Sequence, residues 1–427
     1  MSIDKDLPDL IKAGIITEET GSRIQEYYKA KSNSSPNRLF VAFGILGSLL
    51  VGLGIILIIA HNWDDLSRAT KTFIAFLPLV AAQLICAYVL LKKSGNSIWI
   101  ESTTTFLFFA VGACISLVSQ IYHIPGNLGP FLLIWMVLCL PLIYVMKSSM
   151  ATLLYIVGIT YYAVESSYFS YPSSSSYLYW VLLIAVFPQY YLLIRSNPKS
   201  NFLTVENWLI PLSITTVLGT LASNAEEFMF VAYFSLFGLF YIIGNNTFFK
   251  DKSLRNNSYK VIGTLGTLIL LFVTSFDGFW NDLRTEYYSY ESLLTANELW
   301  VSIGISIVAL VYFYKQQKDK PMRQLPPLSP IFLLFIVIFC IGYFSSIAVV
   351  LINLIILTIS ILTIVDGAKR EHLGVLNFGL AIITIWIIIR FLNTDLSFVI
   401  RGLLLMAIGI GFFSANYGML KKRRRNE

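Results

Sequence analysis

Residues Leu39 to Leu91 restrict what this chain can fold into more than any other stretch. Leu39–Ala60 is one apolar run, His61-Asn62-Trp63-Asp64-Asp65-Leu66 is a polar corner, and Lys71–Leu91 is a second run. Each run has about 20 residues, and a helix of that length, rising 1.5 Å per residue, crosses a hydrocarbon core of about 30 Å. The pair therefore reads as a transmembrane hairpin.

The rest of the chain repeats the pattern. Spans are expected near 39–60, 71–91, 103–121, 130–146, 150–164, 177–194, 207–222, 228–245, 259–276, 299–315, 328–344, 346–365, 373–392 and 397–418. Two of these depart from an ordinary span length. Ala151–Val164 is short for a span. Leu328–Val365 is one long run that as a single helix would measure roughly 55 Å, too long to cross unbroken, so it is folded near Gly342 and Ser345-Ser346. Composition agrees: of 427 residues, 56% are hydrophobic and 13% charged, against about 25% charged in soluble domains. The expected fold is an all-α polytopic bundle of about fourteen spans over 39–418, preceded by a two-helix segment with its linker at 1–38 and followed by a basic tail at 419–427.

The net charge of +7 does not point to nucleic acid, because the basic residues sit in short loops between spans. With fourteen spans and an inner N-terminus, only Arg68, Lys71, Arg284, Arg390 and Arg401 fall outside, leaving 26 of the 31 Lys and Arg inside. A miscounted span would invert every later loop and scramble that bias, so both termini are expected in the cytoplasm. The terminal Lys421-Lys422-Arg423-Arg424-Arg425 run then faces anionic lipid as an anchor. Residues 1–38 lack an apolar core of the signal-peptide kind, so the first span is expected to serve as an uncleaved anchor. Cys86, Cys114, Cys139 and Cys340 all lie in apolar runs without metal-ligand spacing, so no disulfide is expected.

Within 1–38, Leu7, Leu10 and Ile11 make one apolar stripe and Ile24, Tyr27 and Tyr28 another, with Gly14 between them. Thr17 stands as an N-cap, with Glu18 and Glu19 in the first turn where carboxylates suit the helix start. This segment is either a docking module for a cytosolic protein or an amphipathic hairpin resting on the membrane. Farther on, Phe276–Glu298 is rich in Tyr, Trp and acid and is expected along the outer surface. Gly44-Ile45-Leu46-Gly47 before Trp63-Asp64-Asp65-Leu66 is echoed by Gly263-Thr264-Leu265-Gly266 before Trp280-Asn281-Asp282-Leu283. The echo would suit two parallel halves, 39–194 and 259–418, joined by linking spans across 207–245.

Signatures of soluble catalysis, of cofactor binding and of metal cages are absent, and an enzyme is not expected. The spans carry few ionisable groups, and their deep polar residues are the amides Gln83, Asn353 and Asn377, which in membranes more often join helices. The outer corners are richer: His61, Asn62, Trp63, Asp64 and Asp65, then Gln120, Tyr122 and His123, then Arg390, Asp395 and Arg401. Arg401, about four residues into its span, needs a partner such as Asp395, Asp64, Asp65 or an anionic ligand. Pro78, Pro141, Pro188 and Pro211 are expected to bend their spans.

Leu10-Ile11-Lys12-Ala13-Gly14-Ile15-Ile16-Thr17-Glu18-Glu19 and Ala60-His61-Asn62-Trp63 carry a resemblance. So do Ser119-Gln120-Ile121-Tyr122-His123-Ile124, Trp135 and Leu140-Pro141-Leu142. Together they resemble the N-terminal region of an uncharacterised family of bacterial multi-spanning membrane proteins. The ending Arg390-Phe391, Asp395, Arg401-Gly402 and Gly409 with a basic tail looks like that family's close. The resemblance implies a bacterial cytoplasmic-membrane protein and brings no activity with it. Functionally the chain reads as transporter-like or lipid-flippase-like without an evident coupling ion. The alternative is a sensor or scaffold whose residues 1–38 bind a cytosolic partner; membrane lipids are partners in either case.

Overall fold

The structure is a computed structural model that describes residues 7, 10–33, 65–169, 176–222, 225–250, 252–285, 294–318 and 326–392, with isolated positions between 399 and 417. Its main helices are α1 (Glu18–Asn33), α2 (Arg68–Lys92), α3 (Ser97–Ile121), α4 (Leu128–Val145), α5 (Ser149–Val164), α6 (Leu178–Ile184), α7 (Phe187–Ser196) and α8 (Asn201–Leu218). They continue with α9 (Phe228–Gly244), α10 (Ser258–Thr274), α11 (Asp277–Thr285), α12 (Asn297–Gln317), α13 (Ile331–Phe344), α14 (Ile347–Lys369) and α15 (Leu373–Leu392). No strand occurs among the described residues. The chain divides into two compact units, residues 1–76 and 77–427.

In the first unit the expected break at Gly14 is a helix stop. Ile15 N–H donates to Leu10 O at 3.1 Å and Gly14 N–H to Ile11 O at 3.0 Å, while Gly14 takes φ +70°, a left-handed value that a residue with a Cβ adopts only with strain. Thr17 then caps α1 by accepting from Thr20 N–H at 3.3 Å. A Cβ on Gly21 would collide with Ile11 at 2.7 Å, so this glycine is where α1 meets the preceding turn of helix.

The second unit is organised around two short helices. Hydrophobic on all sides, α9 packs against α10, α12 and α13 and buries Phe234, Ala232 and Ile242 completely. Packed against α3, α4, α6 and α8, α5 buries Ala151, Tyr155 and Ile159. α9 has 17 residues, and the 16 residues of α5 continue as a π-helical turn over Glu165–Phe169. Outside them the polarity pattern is the reverse of a soluble protein's. Eight helical segments are long and apolar enough to span, yet only 17 to 44% of each span's apolar window is buried. That much exposed apolar surface is accommodated by lipid.

Twelve of the fourteen expected spans coincide with helices; the span at 39–60 lies outside the described residues, and the one at 397–418 is described only at isolated positions. Among the described residues eight helical segments meet the length and hydropathy of a span, or nine with α10 and α11 taken as one span bent by 71°. The long run Leu328–Val365 divides at Ser345, whose extended φ of −149° ends α13, and α13 packs against α14. Pro78, Pro141 and Pro211 lie inside continuous helices, whereas Pro188 opens α7 after a break from α6. At a helix start the missing proline N–H is one that would be unpaired anyway.

After α10 the chain bends by 71° into α11, the described start of the segment expected at the outer surface. Trp280, however, points inward. Its ring is wholly buried against Gly342 of α13, where a Cβ would overlap it, and its Nε1–H donates to Thr274 O at 2.7 Å. Trp280 is thus a packing wedge and not a headgroup anchor. In the echoed pair of motifs, the second copy is structural: Gly263 lets α10 approach the backbone of α9 at Phe237 and Tyr241. The first copy at 44–47 lies outside the described residues. Trp135 repeats the wedge, set against Gly112 of α3 and donating to Phe108 O at 2.8 Å.

Trp280→Ala should lower stability by about 3–5 kcal/mol, the range for a buried tryptophan emptied to a cavity. Gly342→Leu alone should be destabilising, and the pair together should lose less than the two losses added, because the new side chain fills the vacated space. Thermal unfolding of the purified protein in detergent measures both.

Candidate functional site

The polar residues of the spans do not gather into one site. Asn353 of α14 is the most engaged. Its Nδ2–H donates to Val349 O at 2.6 Å and to Ser275 O at 3.1 Å, and its Oδ1 accepts from Trp386 Nε1–H at 2.8 Å and Arg390 Nε–H at 3.2 Å. Arg390 also donates to Ser275 O and lies 4.9 Å from the centre of the Phe276 ring. One amide therefore ties α14, α15 and the α10–α11 bend together. Arg390 and Asn353, which the sequence places in different groups, form this clasp. Gln83 on α2 and Asn377, earlier on α15, are exposed and take no part in it.

At the corner after α3, the motif Ser119–Ile124 is a helix terminator. Ile124 N–H donates to Ser119 O at 2.9 Å and His123 N–H to Gln120 O at 3.4 Å, the same closing pattern as at Gly14. His123 holds φ 51° without being glycine. Gln120, Tyr122 and His123 are exposed, as is Asp65. His61, Asn62, Trp63, Asp64, Asp395 and Arg401 lie outside the described residues.

Three carboxylates escaped the sequence reading: Glu101, Glu206 and Glu298. Each sits just before an expected span border at 103, 207 or 299, whereas the helices start earlier, at Ser97, Asn201 and Asn297. Hydropathy stops at the first charge, but the backbone helix runs on through it. A glutamate flanked by apolar residues, as in Trp99-Ile100-Glu101 and Thr204-Val205-Glu206, was the available signal.

One of the three caps a helix, and a second ties down a loop. Glu101 accepts from Ser149 N–H at 3.0 Å, Met150 N–H at 2.8 Å and the Ser148 hydroxyl, so a side chain of α3 caps the start of α5. Fully buried Glu298 accepts from Ala225 N–H at 3.1 Å, on the approach to α9. Glu206 of α8 is different: it is fully buried, and neither carboxyl oxygen has a hydrogen-bond partner. Beside it, Tyr190 donates to Asn207 Oδ1 at 2.6 Å and shares a hydrogen bond with Tyr259. In the loop after α9, Lys252 lies over the rings of Phe248 at 3.8 Å and Phe249 at 5.2 Å, and burial lowers its pKa from the usual lysine value.

Among the described residues, no three His, Cys, Asp or Glu side chains stand where they could hold one metal ion. The surface carries apolar grooves instead. One of about 530 Å³ is lined by Ile85, Ile98, Trp99, Ser102, Thr103 and Phe106, and another of about 280 Å³ lies between α5 and α8. Such grooves suit acyl chains better than polar substrates.

If the strained His123 serves only to end α3, His123→Gly should raise stability by about 1 kcal/mol, since glycine enters the left-handed region freely. His123→Val should lower it by a similar amount. Equilibrium unfolding of the two variants against the parent reads the difference, and loss of stability in the glycine variant would show that the imidazole itself holds the corner.

No curated protein and no solved structure matches the chain. The span-forming helices and their outward apolar faces make this a membrane protein. Residues 8–152, from the first helical stripe through the Glu101-capped start of α5, match a family described as "Predicted membrane protein (DUF2157)", in agreement with the uncharacterised membrane family that the N-terminal motifs resemble.

Proposed function

We propose that this protein is a membrane-embedded sensor or scaffold of the bacterial cytoplasmic membrane, with both termini in the cytoplasm and residues 1–38 binding a cytosolic protein. The observation carrying this reading is the use of the deep polar groups. Asn353 spends its amide on helix joining, and Gln83, Gln120 and Asn377 are exposed on separate helices instead of lining one passage. A transport route needs polar groups that converge. Meanwhile the N-terminal turn leaves Ile15 69% and Leu10 36% exposed, two apolar side chains that a partner could cover.

The transporter-like or flippase-like reading has one observation in its favour. The groove bounded by Ile85, Trp99 and Phe106 is apolar, with Ser102 and Thr103 at hand, and fits a lipid chain. It is open along the surface of α2 and α3 and offers a lipid a seat without a route across. No catalysis is assigned, and the protein's constant partner is lipid.

A photoreactive amino acid placed at Ile15 of the full-length protein in cells should yield one defined protein adduct, lost in Leu10→Asp. No adduct at Ile15, together with lipid scrambling by the purified protein in vesicles, would transfer the assignment to the flippase reading. Reporter fusions at Glu427 and within 286–293 should report opposite sides of the membrane. Finding both on one side would overturn the even span count.

A further inference from the structure

Among the described residues Glu206 is a buried acid without a hydrogen-bond partner. It lies on the second turn of α8, wholly buried, with both carboxyl oxygens unbonded. A carboxylate removed from water without hydrogen bonds or a counter-charge loses several kcal/mol of hydration that nothing replaces. The acid form loses far less. Among the described residues no cation is paired with Glu206; at this end Lys252 lies over the rings of Phe248 and Phe249, and Lys260 follows Tyr259 on α10. Facing Glu206 are Tyr190 from α7, Tyr259 from α10 and, near the same end, Glu101 from α3.

Two further titratable groups on packed elements have other neighbours. Tyr155 on α5 lies nearer Tyr144 and Cys139, and Tyr233 on α9 donates to Thr215 O, more than two turns along α8. Glu101 accepts from two backbone N–H groups and a hydroxyl at the start of α5. Its negative charge opposes a second one close by. Two carboxyl groups thus share one end of the bundle in opposite environments, one built for a charge and one against it.

We propose that Glu206 is a proton-binding site: its carboxyl carries a proton in the closed bundle, and release of that proton loosens the packing of α7, α8 and α10 at this end. The joint is suited to such a response. Tyr190, Asn207, Tyr259 and Ser258, which donates to Asn207 O, form one hydrogen-bonded layer across the three helices beside Glu206. A bare charge at that layer would have to be hydrated, and water reaches it only if the helices part. The proposal is independent of whether residues 1–38 bind a partner.

The test is thermal unfolding of the full-length protein in detergent across pH, comparing the parent with Glu206→Gln and Glu206→Leu. A folded chain that holds a proton which the unfolded chain has released loses stability as pH rises. Glu206→Gln should match the parent near the ordinary glutamate pKa of about 4, where the unfolded chain holds the proton too, and should lack the fall in stability that the parent shows as pH rises above it; Glu206→Leu should also fold. Infrared spectra should show a protonated-carboxyl band in the parent that disappears on alkalinisation and is missing from Glu206→Gln. Failure of both neutral variants to fold near neutral pH would overturn the proposal, since it would mean that the charge is required. So would an unchanged pH profile in Glu206→Gln, or a sodium-dependent stabilisation of the parent that Glu206→Gln abolishes, which would make Glu206 an ionised cation ligand.

Discussion

The structure depends on closing helix ends where water is scarce. A helix leaves its first N–H groups and last carbonyls unpaired, and inside a lipid-embedded bundle the chain itself has to pair them. The start of α5 takes Glu101 from α3, and the approach to α9 takes Glu298. The start of α10 takes Asn257, whose side chain also donates to Gly244 O at the end of α9. Around these closures α5 and α9 each pack against several neighbouring helices. A carboxylate capping a neighbouring helix also joins two elements, so the same bonds that satisfy the backbone set the packing.

Shape does the remaining work. With lipid outside and apolar side chains within, burial gives little preference for one helix neighbour over another, and close packing decides. Trp135 against Gly112 and Trp280 against Gly342 are two instances of one device: a large ring filling the space a glycine leaves, with its indole N–H returned to a backbone carbonyl. The approach of α9 and α10 at Gly263 is the small-residue version. Each lock lies between particular pairs of helices, which is how a uniformly apolar chain obtains one arrangement.

This reading separates the polar residues by what they do. Asn353 with Arg390 and Trp386, the Ser119–Ile124 corner and the capping glutamates are all accounted for by joining helices or ending them. Function is then sought where the fold has no use for a polar or apolar group: the unpartnered Glu206 within the bundle, and the exposed Leu10 and Ile15 on the N-terminal turn. Both are consistent with a protein that responds to its surroundings and passes the response to a partner.

The sequence by itself determined the solvent and the elements. Twenty-residue apolar runs, the scarcity of charge, the stop at Gly14 with Thr17 beginning α1, and the division of Leu328–Val365 at Ser345 are local facts, because hydropathy, φ preference and helix length act on neighbouring residues. Twelve expected spans therefore meet helices, and the N-terminal motifs point to the matching family. What only the tertiary structure decided is which polar residues meet. Arg390 and Asn353 are 37 positions apart and were sorted into different groups until α14 and α15 packed side by side. Glu101, Glu206 and Glu298 look alike in sequence, each a glutamate at the lip of an apolar run. Two find backbone N–H groups, 48 and 73 residues away in the chain, and one finds none. A hydrogen bond forms or fails over about 3 Å in space, and no local pattern carries that distance.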